Sequence, residues 1–478
     1  MVHKAHPSVR PVRAFRFDER IVRRCDVLVV GGGAAALCAA ISARRSGASV
    51  LLLESAPKAL RGGNARHSRN FRIMHDGPMA FIQGHYDADD FRSDLRRVTV
   101  GRMDGAVTDQ LVGGSASIVG WLAENGVRFQ DAGDGNLPYS RKTAFFHGGG
   151  KALVNALYET AARLGVDVHY DSEVCRLDPG DGRPPSVTVR CRDDELVLSA
   201  GAVVAASGGF QANGDWLREH WGAVADQIVT RGTPHATGIV LKRLLDLGAA
   251  PVGDAGCGHM VAVDARSPRF DGGIVTRLDG LAQGIVVDRE GRRFADEGSD
   301  IGPTRFSVWG DRVARCAEGL AFSIFDAVIE RRFRPSIFPA IRAGSIGELA
   351  VALGIAPKAL EQTVGAYNAA IRPGGGLPDG WTEGLDPPKS RQAAPIAVPP
   401  FGAYPVRAGL TSTHLGVRVD ERARVLDREG TPLDGIFAAG VIMAPNVIGQ
   451  GYLAGIAMTI GTVFGRIAGQ EAAAHARR

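Results

Sequence analysis

Gly31, Gly32 and Gly33 follow directly on the apolar run Val27–Val30, and with Ala36 they read G-x-G-x-x-A. That spacing suits a pyrophosphate: Gly31 permits a tight turn, Gly33 lets the backbone approach the phosphates, and Ala36 lets the next helix lie close on the strand. The phosphates then meet a helix N-terminus, where unpaired N–H groups and the helix dipole favour negative charge. Glu54, 21 positions after Gly33, is placed to accept hydroxyls of an adenosine ribose. Such residues must be positioned by a strand, a turn, a helix and a second strand. Ala34 to Ser46 is alanine-rich and helical in pattern, Gly47 suits its end, and Ser49 to Leu53 is a second apolar strand closing on Glu54. The whole order predicts dinucleotide binding; the glycines alone also fit a turn in an ordinary βαβ unit.

The 478 residues are 45% apolar and 22% charged, which predicts a globular chain of two domains. The net charge of +5 is spread along the chain, pointing to small acidic molecules and away from nucleic acid. No apolar run reaches the roughly 18 to 20 residues that span a bilayer, and the basic extension 1–24 lacks the apolar centre of a secretory signal, so a cytoplasmic protein is expected. That extension reads as a disordered tail, an added strand or a partner-docking segment. Cysteines at 25, 38, 175, 191, 257 and 316 form no C-x-x-C pair and no zinc-like or ferredoxin-like spacing, so no metal site is expected.

Helical periodicity is predicted over Asp104 to Asn125 and Lys151 to Leu164, with strands at Val166 to Tyr170, Ser186 to Arg192 and Val203 to Ala206. Between 258 and 413 the βα signals thin out while Arg, Pro and aromatic residues increase. This stretch reads as a capping domain inserted into a first domain of residues 25–257 and 414–472. The fold class expected is α/β, a Rossmann-like dinucleotide-binding domain with an inserted α+β cap. Strands at Gly416 to Asp420 and Gly435 to Ala439 and a Gly-rich helix from Leu453 to Ala468 complete the first domain.

Four segments together resemble the flavoprotein family of fumarate reductases, succinate dehydrogenase flavoprotein subunits and 3-ketosteroid dehydrogenases. They are the fingerprint, Gly62-Gly63-Asn64, Ala205 to Phe210, and Gly435 to Gly440 with Phe464 to Gly469. Within it the chain looks most like the tricarballylate dehydrogenases, through RGGNARHSRNFRIMHD, RGTPHATG and NVIGQGYLAGIAMTIGTVFGRIAG. The resemblance implies FAD, with Gly62, Gly63, Asn64, Ser207, Gly208, Gly209 and Gly440 added to its site. It also implies hydride removal between two carbons, tricarballylate to cis-aconitate first, with electrons passed to a separate iron–sulfur partner at the membrane. Asn64 stands where covalent relatives carry a flavin-bonding histidine, so non-covalent FAD is expected. Val441 replaces the family's usual glutamate after Ala439-Gly440.

A polycarboxylate calls for convergent arginines, which bind carboxylates through two parallel bonds and keep their charge. The resemblance places Arg66, Arg69 and Arg72 in the loop beside the isoalloxazine and offers Arg141, Arg231, Thr276 and Arg277 as further substrate contacts. The second proton needs its own carrier. Arg305 is that candidate, four residues later than in fumarate reductases, and Tyr452 stands where they carry a second substrate arginine. The family's substrate histidine falls closest to Ser412, leaving His414 and His259 as acid–base candidates or structural histidines. Alternatives are a fumarate-reductase-like or enone-acting flavin enzyme, and a non-catalytic flavin-binding electron-transfer subunit.

Overall fold

The structure, a computed structural model, describes residues 24–131, 141–180, 182–192, 194–299, 301, 305–334, 336–373 and 380–478; the extension before Arg24 lies outside them. β1 (Arg24–Val30), α1 (Ala34–Arg45) and β2 (Val50–Leu53) form the βαβ unit. β1 runs parallel to β2 on one side and to the end of the strand Asp194–Ala205 on the other. Val27, Leu28 and Val29 are fully buried. A central parallel strand covered on both faces has no polar side to show, hence the unbroken apolar run.

The sheet extends through Asp167–His169 beyond β2 and through Pro432–Ala438 beyond Asp194–Ala205, all parallel. The helix Ile456–His475 lies on α1, and its glycines explain how closely. A Cβ at Gly465 would come within 2.5 Å of the Ala35 carbonyl oxygen, and one at Gly469 would strike that of Ala39. The turns after β1, after Asp194–Ala205 and after Pro432–Ala438 open on one edge of the sheet, at the carboxyl ends of the strands. Ligands of such sheets bind there.

Between those last two strands the chain builds a second, mainly antiparallel sheet. Its centre is the pair Pro251–Asp264 and Phe401–Val417, continued by Leu320–Phe325 and Ile285–Val287. A separate buried cluster that includes Trp309, Phe325 and Tyr367 fills this part. The strand predicted at Gly416 to Asp420 is instead the end of the 17-residue strand Phe401–Val417. Gly402, Pro405, Gly409 and Gly416 disguise it in the sequence. The Gly402 position has no room for a Cβ against the Phe325 ring. The predicted helix Asp104 to Asn125 is two, Gly105–Ser115 and Ile118–Glu124.

Candidate active site

The first turn divides its glycines by task. Gly31 has φ +110°, and a Cβ there would lie 2.5 Å from the Ala206 carbonyl oxygen. A Cβ at Gly32 would strike Glu54 Oε2 and the Tyr158 hydroxyl, whereas one at Gly33 would meet nothing nearer than Gly62 O at 3.8 Å. Gly31 and Gly32 therefore hold the loop against the sheet, and Gly33 faces open space. Gly33 is also the N-cap of α1 with no side-chain cap, so the first N–H groups of that helix are left for an anion. Glu54 is 5% exposed, with Oε1 accepting from the Ala56 N–H at 2.8 Å, and burial pushes its carboxyl above the usual carboxylate range. The Tyr158 hydroxyl donates to Gly32 O at 3.0 Å, fixing the turn from the far side.

One continuous cleft runs from Glu54 past Gly31 and Gly33 to Gly63, Asn64, Ser207, Gly208 and Gly440, with Val441 in its wall. Ala36, Gly62 and Gly209 do not line it. Ala36 is fully buried, Gly62 lies against Val154, and Gly209 against Thr413. They shape the walls. Asn64 is spent on structure: its Nδ2 donates to Thr411 O at 2.6 Å and its Oδ1 accepts from the Thr233 N–H at 3.0 Å. His67 lines the cleft paired with Asp271 at 2.7 Å.

At the far end Arg69, Arg231 and Arg277 line the same cleft as His259, His414 and Tyr452. Arg231 Nε donates to Gly273 O at 3.1 Å and Nη1 to Thr411 Oγ1 at 2.8 Å. Burial, and next the charge of Arg277, lowers the Arg231 guanidinium to about 10. Such crowding of like charge is relieved by an anion between them. Arg277 also pairs with Asp279. The His259 and Tyr452 rings stack with centroids 3.6 Å apart and planes 2° from parallel. Burial holds His259 well below the ordinary histidine value, the charge of Arg231 adding to the effect, so its ring is neutral.

Three sequence-predicted arginines, Arg66, Arg72 and Arg141, are elsewhere. Arg72 is in the sequence loop expected beside the flavin, yet it is buried behind it: Nε donates to Ala454 O at 3.1 Å, and Nη1 to the Tyr86 hydroxyl at 2.7 Å and to Asp94 at 3.0 Å. Asp94 also accepts from Lys142 at 2.6 Å. Burial raises the Asp94 carboxyl, but Lys142 and Arg72 outweigh it and leave it below the usual range. Through Ala454, Arg72 is tied to the segment that carries Tyr452. Arg141 is exposed and outside the cleft lining, because the strand Thr143–Phe145 that follows it pairs with Asn70–Arg72 at the back of this loop. Arg66 turns its Nη1 to Leu60 O. Thr276 is buried behind Arg277, outside the lining. Arg305 begins the helix Arg305–Ala314, and its side chain lies outside the described residues. Gln211 and His235 line the cleft unforeseen. Their only signal is position, Gln211 after Gly208-Gly209-Phe210 and His235 inside RGTPHATG.

Two outcomes follow for this scaffold. Arg72→Met is expected to cost about 3 kcal/mol of stability, because it strips a partner from a buried carboxylate; urea unfolding of the holoprotein measures it, and an unchanged midpoint contradicts the buried pair. His414 is held at about 4 by burial. The unfolded chain binds that proton near pH 6.5 and the folded chain only near 4, so stability is lost as pH falls through this window. The loss is about 2 kcal/mol between pH 7 and pH 5, and His414→Gln should shrink it by that amount in the same urea assay. An equal pH dependence in both proteins would show that His414 is not buried neutral.

The sequence profile of one protein family, described as an FAD binding domain, matches residues 26–457. The chain belongs to that family. A probable fumarate reductase, Ifc3 of Shewanella frigidimarina, is 25% identical over 474 residues, covering 94% of this chain and 75% of its own. The NADH:acrylate oxidoreductase of Vibrio harveyi is 27% identical over 80% of this chain, which spans only 38% of that larger protein. The open conformation of a flavocytochrome c3 fumarate reductase superposes with a TM-score of 0.75 at 23% identity, covering 95% of this chain and 79% of its own. The fold is therefore that of the flavoprotein fumarate reductases, a parallel-sheet FAD-binding domain with a cap, as the sequence predicted.

As a member of this FAD-binding family the chain offers FAD a site that its residues fit. Gly33 leaves open space over an uncapped helix end. Ser207 Oγ and Gln211 Oε1 line the cleft buried without a hydrogen-bond partner among the described residues, which asks for polar atoms from a ligand. Glu54 would meet the adenosine ribose, the α1 terminus the pyrophosphate, and Ser207, Gly208 and Gly440 the flavin end.

Proposed function

We propose that this chain is an FAD-dependent oxidoreductase that exchanges a hydride and a proton with adjacent carbons of a small polycarboxylate. Bound FAD supplies the hydride chemistry. The observation that carries the reading is the convergence of Arg69, Arg231 and Arg277 beside Tyr452 and His259, in the cleft that begins at the dinucleotide fingerprint. Three guanidinium groups at one end of a cleft serve an anion with several carboxylates and are misplaced for a steroid. The arginines hold the carboxylates and orient the carbon–carbon bond. Tyr452 Oη, steadied by the stacked neutral ring of His259 and by the apolar wall of Val229, Val261 and Val263, holds the proton that moves.

Tricarballylate, oxidised to cis-aconitate, is the first substrate we assign, on the tricarballylate dehydrogenase resemblance. Fumarate reduction is the second, favoured by the names of the similar relatives. FAD is held non-covalently, since Asn64 already bonds Thr411 and Thr233, and electrons pass to a separate iron–sulfur protein at the membrane. Among the described residues no helix is long and apolar enough to cross a membrane. Anaerobic titration separates the two directions. Tricarballylate should bleach the oxidised flavin and cis-aconitate restore it; bleaching by no acid, with reoxidation by fumarate, assigns the reductase. Acid precipitation should leave the yellow colour in the supernatant, and colour in the pellet would overturn the non-covalent assignment.

A further inference from the structure

A second cavity lies behind the arginine cluster. It shares Arg69, Ile274 and Arg277 with the FAD cleft, so the two compartments meet across these residues, and Ser323, Arg334 and Tyr404 line its far side. Ser323 belongs to the strand Leu320–Phe325, is 2% exposed, and its hydroxyl oxygen is buried with no hydrogen-bond partner among the described residues. Leaving such a group unpaired is unfavourable, and native interiors seldom do so unless a ligand or water completes it. The charge of the cavity points to what that ligand is. Asp279 is the single acid among its described lining residues, and Arg277 engages it twice, at 2.6 and 2.7 Å. Against that one acid the lining carries three arginines, Arg69, Arg277 and the exposed Arg334.

Resting on the polycarboxylate reading above, we infer that this cavity is a subsite for the far end of the substrate: it receives a third carboxylate, which a C4 dicarboxylate lacks. Two carboxylates lie with the reacting carbons in the FAD cleft. The third passes between Arg69 and Arg277, accepts a hydrogen bond from the Ser323 hydroxyl and faces the Arg334 guanidinium. Length selection is then built into the cap, because Ser323, Arg334 and Tyr404 all come from the inserted part of the chain. The site prefers tricarboxylates through residues that never touch the reacting bond.

Isothermal titration of the holoprotein with tricarballylate and with succinate tests this. Ser323→Ala, which keeps the packing and removes the hydroxyl, should raise the tricarballylate Kd about 10-fold, as for one hydrogen bond to a charged group. Arg334→Gln should raise it about 3-fold, the effect of an exposed charge. Succinate should change by less than about 2-fold in either variant, within the scatter of neutral surface changes. Equal weakening of both acids would make Ser323 part of the general wall and overturn the subsite. Unchanged affinity for both acids would overturn it while leaving the polycarboxylate reading standing. Failure of tricarballylate to bind the wild-type holoprotein would overturn both. If Ser323→Ala does not fold, Arg334→Gln decides by the same comparison.

Discussion

Gly33→Asp is expected to give a folded protein that purifies without flavin. The backbone at Gly33 is extended, with φ −77°, and the added side chain points into open space, so the fold has no reason to reject it. Its carboxylate would occupy the place of the pyrophosphate at the end of α1. A like-charge contact at about 4 Å costs about 4 kcal/mol at the effective dielectric of a protein surface, roughly a thousand-fold in FAD affinity. Circular dichroism should match the wild type while the flavin absorbance is lost. Gly31→Ala should behave in the opposite way, because its φ of +110° and the nearby Ala206 carbonyl oxygen strain the turn itself. Full FAD occupancy in Gly33→Asp would mean that the phosphates lie elsewhere.

Arg69→Met carries the second large effect. The apolar stem is kept and the charge over the Phe145 ring, 5.9 Å from its centroid, is removed. Flavin content should stay at the wild-type level while affinity for tricarballylate falls about 10-fold to 150-fold, the worth of hydrogen bonds to a charged group. Lys in its place should recover only part, since a point charge lacks the planar fork. Arg72→Met separates binding from positioning: stability falls there first, and affinity only as far as the Tyr452 segment loosens. Equal loss of affinity at constant stability in both variants would return Arg72 to the substrate.

The strand, turn, helix and second strand that open the cleft were legible because they are local. A strand, three glycines, a helix and an acid lie within 31 residues, and each type has one physical reason to be there. The other end is assembled across the chain. Arg69, Arg231, His259, Arg277 and Tyr452 are spread over most of its length, and the pairing of Pro251–Asp264 with Phe401–Val417, with the bridge from Val263 to Arg277, brings the cap residues to the cleft. Arg72 shows the limit well. In sequence it looks like its neighbour Arg69, but a strand of three residues alternates faces, and its back face meets Asp94 and Tyr86 from 22 and 14 positions away. Nothing local distinguishes an arginine that faces the cleft from one that meets a buried carboxylate. The long strands of the cap were hidden for a related reason, because close contacts with Phe325 and other neighbours demand glycine where β-branched residues would have announced a strand.

The central claim is that carboxylate charges are what Arg69, Arg231 and Arg277 recognise beside the flavin. The most direct measurement is an anaerobic flavin absorbance titration with tricarballylate and, in parallel, with its uncharged trimethyl ester. The acid is expected to perturb and then bleach the flavin with saturation, and the ester to leave it unchanged at the same concentrations. Bleaching by the ester as strongly as by the acid, or a flavin that responds to neither, would contradict the account.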